Sequence, residues 1–234
     1  MRHKSTGWAR VVEFPGRCDS RQVSTFTGFS ERALTFYAEL AEHNTKEFWR
    51  DNKTVYESEV RDPMLALLSG LDPDFGAVKL FRPYRDTRFS RDKSPYKTHQ
   101  AAFAGLSPGV GYYLQLDAGG LLAGGGFRAH SSAQVDKYRE AVDDDASGSD
   151  LHDLVAAMRE DGFEFEGERL KTRPRGYPAD HPRIELLRHK SLMAVKTFGA
   201  PAWLGTDRVL DEVNVTWRMV APLNAWVAEH VGPA

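Results

Sequence analysis

Apolar residues recur at helical spacing through the first third of the chain. Ser30 followed by Glu31 has the form of a helix N-cap with a favourable charge in the first turn, and Leu34, Tyr37, Ala38 and Ala41 share one face. That pattern predicts a helix over residues 31–43. After His43 and Asn44, Thr45 is placed to cap a second helix whose stripe runs Trp49, Tyr56, Val60, Met64, Leu67 and Leu68. Pro63 interrupts this stripe, either as a kink or as the start of a new helix with Asp62 as its cap. The helical pattern ends between Gly70 and Gly76.

The period then shortens. Segments 78–84, 100–106, 111–117 and 120–128 are short, apolar or alternating, and bounded by glycine or proline, which predicts strands joined by tight turns. Val135, Tyr138 and Val142 mark one helix, and Leu151, Leu154, Val155 and Met158 mark another, with DDDASGSD between them. FEFEGERLK reads as strand or hairpin, PRIELLRHK as a short helix and LMAVKTF as a last strand. Thr206 is placed to cap a long final helix with Leu210, Val213, Trp217, Val220, Asn224 and Val227 along one side. The order lacks regular strand–helix alternation, so the expected fold is α+β: a mainly antiparallel sheet packed by N-terminal and C-terminal helices. Residues 1–24 carry no clean period and are read as a disordered or extended tail, and 25–234 as a single domain.

Composition agrees with a soluble globular protein, because 234 residues with 41% hydrophobic content can bury a core. No apolar run approaches the length of a membrane span and the N-terminus lacks the apolar centre of a secretory signal, so a cytoplasmic location is expected. The only cysteine, Cys18, excludes an internal disulfide and a thiolate-rich zinc site. A formal net charge of -2 argues against bulk adhesion to nucleic acid or acidic membranes. Any anion must therefore be recognised locally.

One stretch opposes that background. RPYRDTRFSRDKSPYKTH, residues 82–99, sets six cationic side chains against two carboxylates. Pro83 and Pro95 rule out one regular helix and indicate a strand end running into a structured loop. Converging arginine forks bind phosphate or carboxylate, so Arg85, Arg88, Ser90, Asp92, Lys93 and Lys97 form the candidate ligand-binding set. Asp86, Tyr96 and His99 are the candidates for proton transfer. Nearby lysines are expected to lower the tyrosine pKa and to discourage protonation of the histidine. The competing view is a salt-bridged structural loop in which Asp86 and Asp92 pair with the arginines, or a plain solvated charge run.

Other motifs weaken on inspection. In DDDASGSD, Asp143, Asp145, Ser147 and Gly148 imitate the start of a calcium loop, but Leu154 stands where the bidentate glutamate belongs, so an acidic turn with Ser149 as helix cap and no calcium is expected. GGLLAGGGF lacks the Gly-Lys-Ser/Thr of a phosphate loop, and its glycines are read as turns or a close backbone approach. The histidines offer no ligand pair at helical spacing, so neither a metal site nor a cofactor is predicted. PRGYPADHPRIELLRHK gathers Arg175, Arg183, Arg188, His189 and Lys190, either as a second wall over the basic segment or as an exposed face.

FTGFSERALTFYAELAEHNTKEFW, RDTRFSRDKSPYKTH and PRGYPADHPRIELLRHK together resemble the uncharacterised family catalogued as domain of unknown function 2461, found mainly in bacteria and also in fungi. The resemblance runs from about residue 25 to the C-terminus. Phe48-Trp49 in place of Trp-Phe, and Thr87 in place of an aliphatic residue, depart from the family pattern and leave its polar groups intact. The resemblance implies a single domain beginning near Val23 and assigns Arg85, Asp86, Arg88, Ser90, Asp92, Lys93, Tyr96, Lys97 and His99 to one site. It implies no reaction. The function expected from the residues is binding of a small phosphate- or carboxylate-bearing ligand, with Asp86, Tyr96 or His99 moving a proton if the protein is an enzyme. The alternatives are a protein interaction module docking an acidic partner and, less favoured, a single-stranded nucleic-acid binder using Tyr84, Phe89 and Tyr96 for stacking.

Overall fold

The structure, a computed structural model, describes residues 25–88 and 91–232. The expected tail, Cys18, Phe89 and Ser90 lie outside the described residues. Helix α1 (Glu31–Glu42) is capped by the Ser30 hydroxyl, which accepts from the Ala33 amide, and Thr45 caps α2 (Lys46–Val55) by accepting from the Phe48 amide. Pro63 does not start an independent helix. It is absorbed by a π-helical turn, Tyr56–Arg61, that leads without a break into α3 (Asp62–Gly70). The Asp62 amide donates to the Glu57 carbonyl five residues back, so the widened turn accommodates the proline, and Asp62 is helical and not a cap.

Strands β1 (Val78–Leu80), β2 (His99–Ser107), β3 (Val110–Asp117) and β4 (Gly120–Arg128) come next. Helices α4 (Ser132–Asp143) and α5 (Asp145–Glu160), strand β5 (Glu164–Glu166), helix α6 (Ile184–Leu187), strand β6 (Ser191–Gly199) and the long α7 (Arg208–His230) complete the chain. The six strands form one antiparallel sheet in the order β1-β2-β3-β4-β6-β5, confirming the α+β reading. The segments expected as strands over 78–84 and in FEFEGERLK are shorter than the pattern suggested, each adding only an isolated bridge, Tyr84 to Tyr96 and Arg169 to His189. The glycines of β4 mark a close approach: a Cβ on Gly124 or Gly126 would stand 2.1 or 2.2 Å from a carbonyl oxygen of β6.

The helices pack on one face of the sheet. Trp217 of α7 stacks on Tyr112, Tyr56 donates to Gln100, and Phe36 of α1 meets the Tyr56 ring, which places the core over Gln100, Ala102, Tyr112 and Leu114. Among the described residues no helix is long and apolar enough to cross a membrane.

Two expectations about the second half change. Helix α5 begins at Asp145, with Asp144 as its cap accepting from the Ala146 and Ser147 amides, so Ser149 lies inside the helix and does not start it. The groups that imitate a calcium loop are occupied by protein. Arg183, itself buried, donates to the Val142 carbonyl at 2.7 Å and the Asp143 carbonyl at 2.8 Å, while Asp143 pairs with His181. The would-be second wall is likewise used elsewhere. Arg188 donates to the Leu170 and Lys171 carbonyls and Lys190 pairs with Glu168. These residues precede Ser191, which pairs with Arg128 at the opposite end of the sheet from His99. Replacing the buried guanidinium by Arg183→Met strands the carbonyls at the α4–α5 junction, and denaturant unfolding is expected to show a loss on the order of 3 kcal/mol that added calcium does not restore. Recovery of stability with calcium would show that the junction is a cation site after all.

Candidate functional site

The 18 residues 81–98 leave the sheet between β1 and β2, a long excursion for a compact domain and one that has to be fixed by something other than the sheet. Its base is a distorted hairpin. The Phe81 amide donates to the Ala101 carbonyl, Arg85 to Pro95 and Lys97 to Pro83, so neither proline is asked for an amide hydrogen it lacks. Asn44, in the α1–α2 connection, grips Tyr96 from outside. Its amide nitrogen donates to the Tyr96 carbonyl at 3.0 Å and its oxygen accepts from the Tyr96 amide at 3.1 Å, as a neighbouring strand would. The Tyr96 ring stacks on Trp49 with centroids 4.2 Å apart and planes within 8°. Below them Gln100, buried, accepts from the Tyr56 hydroxyl and donates to the Phe81 carbonyl.

This anchorage separates the expected site residues into a tip and a base. At the tip Arg88 grips Asp86 through two nitrogens, and those bonds, with that from the Arg88 amide, push the Asp86 carboxyl down to about 2. Lys93 donates to the Thr87 carbonyl, and Asp92 accepts from Ser94 and pairs with Arg85. The salt-bridged loop is therefore real for Asp86 and Asp92. At the base the pairing is incomplete. Lys97 is half-buried with its ammonium 5.1 Å from the Phe81 ring centroid, and among the described residues neither it nor Arg82 has a carboxylate in ion-pair contact. Burial, and then Arg82 and Arg85, push the Lys97 pKa down.

His99, the first residue of β2, is half-buried beside this cluster. Burial, then Lys97, lowers its pKa, with Asp117 pulling the other way and Arg85 adding to the depression. The lowered proton affinity favours the neutral imidazole near pH 7. Its carboxylate neighbour is Asp117, its register partner on β3, while Asp86 is turned to Arg88. Tyr96 behaves opposite to expectation. Its pKa is raised, first by burial and then by Tyr84 and Glu47, because the ring lies against Trp49 while Lys93 points to a carbonyl.

The sequence reading missed a row of polar groups on the sheet face away from the helices. Tyr113 donates to Gln115 at 2.6 Å, and Gln115 donates to Asp117 at 2.8 Å. The signal was present in 111–117, where Tyr113, Gln115 and Asp117 alternate with the buried Tyr112, Leu114 and Leu116. Two grooves open elsewhere, one of about 910 Å³ among α4, α5 and α7 and one of about 660 Å³ beside Phe29 and Gly205, and neither contains an expected site residue. Among the described residues no group of three His, Cys, Asp or Glu side chains could hold a metal ion.

A family model described as conserved hypothetical protein (DUF2461) matches residues 32–226. No curated protein matches the chain and no solved structure does.

Two measurements address the geometry. Asn44→Ala removes both bonds to the Tyr96 backbone and is expected to cost about 1–3 kcal/mol in denaturant unfolding and to speed hydrogen exchange at the Tyr96 amide. Unchanged exchange at that amide would mean the hairpin is held without the clamp. By NMR, His99 is expected to titrate below the ordinary value of about 6.5, and to move upward in Lys97→Met. A titration at or above the ordinary value in the unmodified protein would contradict the cationic environment.

Proposed function

The chain belongs to the DUF2461 family, whose model spans residues 32–226, and from its site we propose that the protein binds a small anionic ligand, phosphate- or carboxylate-bearing, at the base of the 82–99 hairpin. The observation that carries this reading is Lys97: half-buried, lowered in proton affinity by burial and then by Arg82 and Arg85, and without a carboxylate in ion-pair contact among the described residues. Cations forced together in a partly dry site repel, and an anion is the species that relieves all of them at once. Arg85 adds a fork partly engaged by Asp92, and Arg88 and Lys93 form an outer rim that meets the ligand's charge on entry. Neutral His99 stands beside the bound anion as a proton acceptor, which is the chemistry an enzyme would use here. A cytoplasmic location suits ligands of this class.

The exposed tip with Arg88, Arg91 and Lys93 favours a second reading, docking of an acidic protein surface. The two are separated by calorimetric titration with inorganic phosphate and with citrate. Lys97→Met keeps the apolar stem over Phe81 and removes the charge, and is expected to weaken anion binding at least tenfold. Arg88→Ala combined with Lys93→Ala is expected to weaken it only a few-fold and mainly at low salt. Equal loss from tip and base would shift the site to the tip, and no anion binding by the folded protein would leave the docking reading in its place.

A further inference from the structure

The cation cluster ends abruptly. His99 and Asp117 are register partners on adjacent strands, so their Cβ atoms are about 5 Å apart. On one side of that pair stand Arg82, Arg85 and Lys97. On the other a hydrogen-bonded row runs away along β3, from Asp117 to Gln115 to Tyr113. The row lies on the sheet face opposite the one that packs on α7, since Tyr112, which stacks on Trp217, alternates with it. Tyr113, Gln115 and Asp117 are all half-buried. The β4 partners of Tyr113 and Asp117 are Gly124 and Gly120, so no β4 side chain stands directly opposite either of them.

The row is internally ordered and still has capacity. The Tyr113 hydroxyl donates to the Gln115 oxygen, which fixes the amide so that its nitrogen faces Asp117. Gln115 retains a second N–H, and the Asp117 carboxylate, held by Gln115 and by the Gly119 amide, retains acceptor lone pairs. A carboxylate at this position repels a second anionic group, while it accepts hydroxyl donors well. The two halves of the site therefore ask for different chemistry on adjacent strands, meeting at the His99–Asp117 register pair. A ligand that joins one anionic group to a set of hydroxyls, as a pentose or hexose phosphate does, satisfies both halves at once.

We propose that the site takes a phosphorylated sugar, its phosphate on Arg85 and Lys97 and its hydroxyls on Asp117 and Gln115, with Tyr113 positioning the Gln115 amide. The inference rests on the anion-binding reading above and deepens it: it names the part of the ligand that is not charged. His99 then stands at the junction of the two halves.

The test compares affinities of inorganic phosphate, ribose 5-phosphate and adenosine 5′-monophosphate for the full chain by calorimetry, in the unmodified protein and in Gln115→Leu and Tyr113→Phe. Ribose 5-phosphate is expected to bind at least tenfold more tightly than phosphate. Gln115→Leu is expected to erase that advantage and Tyr113→Phe to reduce it several-fold, with phosphate affinity unchanged in both. A preference of adenosine 5′-monophosphate over ribose 5-phosphate, lost in the same variants, supports the proposal with a nucleotide as the source of the sugar phosphate. Equal binding of phosphate and both sugar phosphates overturns the proposal and leaves the anion site standing. Should Gln115→Leu fail to fold, an unchanged advantage in Tyr113→Phe, which retains the ring, also overturns it. No binding of any of the three by the folded protein defeats the anion reading and this inference with it.

Discussion

An excursion carrying this much like charge holds its shape only if its uncharged backbone is seized by something rigid, and the Asn44–Tyr96 exchange of hydrogen bonds is that hold. It substitutes for a missing strand partner where Pro83 and Pro95 interrupt regular pairing. The flat stack of Tyr96 on Trp49 adds apolar contact worth about 0.5–1.5 kcal/mol beyond the area it buries. Both holds come from α2 and the turn before it, so the helical layer positions the base of the hairpin. Where the helices place Tyr96, the neighbouring Lys97 and His99 have little freedom to move apart.

This explains why charges in one short segment divide into two behaviours. Near the tip the chain is free enough for Asp86 to fold back on Arg88, and for Lys93 to reach the Thr87 carbonyl. Exposed pairs of this sort contribute little to stability, and their effect is to give the loop a shape. At the base Arg85, Lys97 and His99 are half-buried and their backbones are fixed. Arg85 keeps its pair with Asp92, while burial, and after it the neighbouring cations, lowers the proton affinity of Lys97 and His99. An apolar ring under Lys97 softens the repulsion without neutralising it.

The sequence carried the local decisions well and the long-range ones poorly. Ser30 and Thr45 act as the caps their neighbours announced, and the alternation in 100–128 forms the antiparallel strands expected of it. Those features depend on residues a few positions apart. Whether Pro63 ends a helix depends on whether the preceding turn can widen, which no residue type signals, and the π-helical turn settles it. The destination of Arg183 was equally hidden, because its acceptors are carbonyls some forty positions earlier. In the candidate site, residue types in 82–99 gave the charge but not its pairing. The row Tyr113, Gln115, Asp117 escaped because its alternation was read as strand geometry alone, although polar residues on a strand's second face mark what that face meets.

The depressed proton affinities also fix how acid acts on the site. A histidine whose folded-state pKa lies below its unfolded value leaves the fold undisturbed above about 6.5, and destabilises it as pH falls, because the unfolded chain then takes the proton more readily. For Lys97 the same repulsion is present across the neutral range, and is relieved only as pH rises through the lysine's lowered pKa toward its ordinary one. An anion seated among these groups reverses both effects by favouring their charged forms. On the proposed reading, anion binding near neutral pH is coupled to proton uptake at His99, and by reciprocity protonated His99 would hold the anion more tightly than neutral His99. On that reading the proposed ligand would be held most firmly with the histidine protonated and would loosen as that proton leaves, a consequence of where Asn44 and Trp49 hold the hairpin.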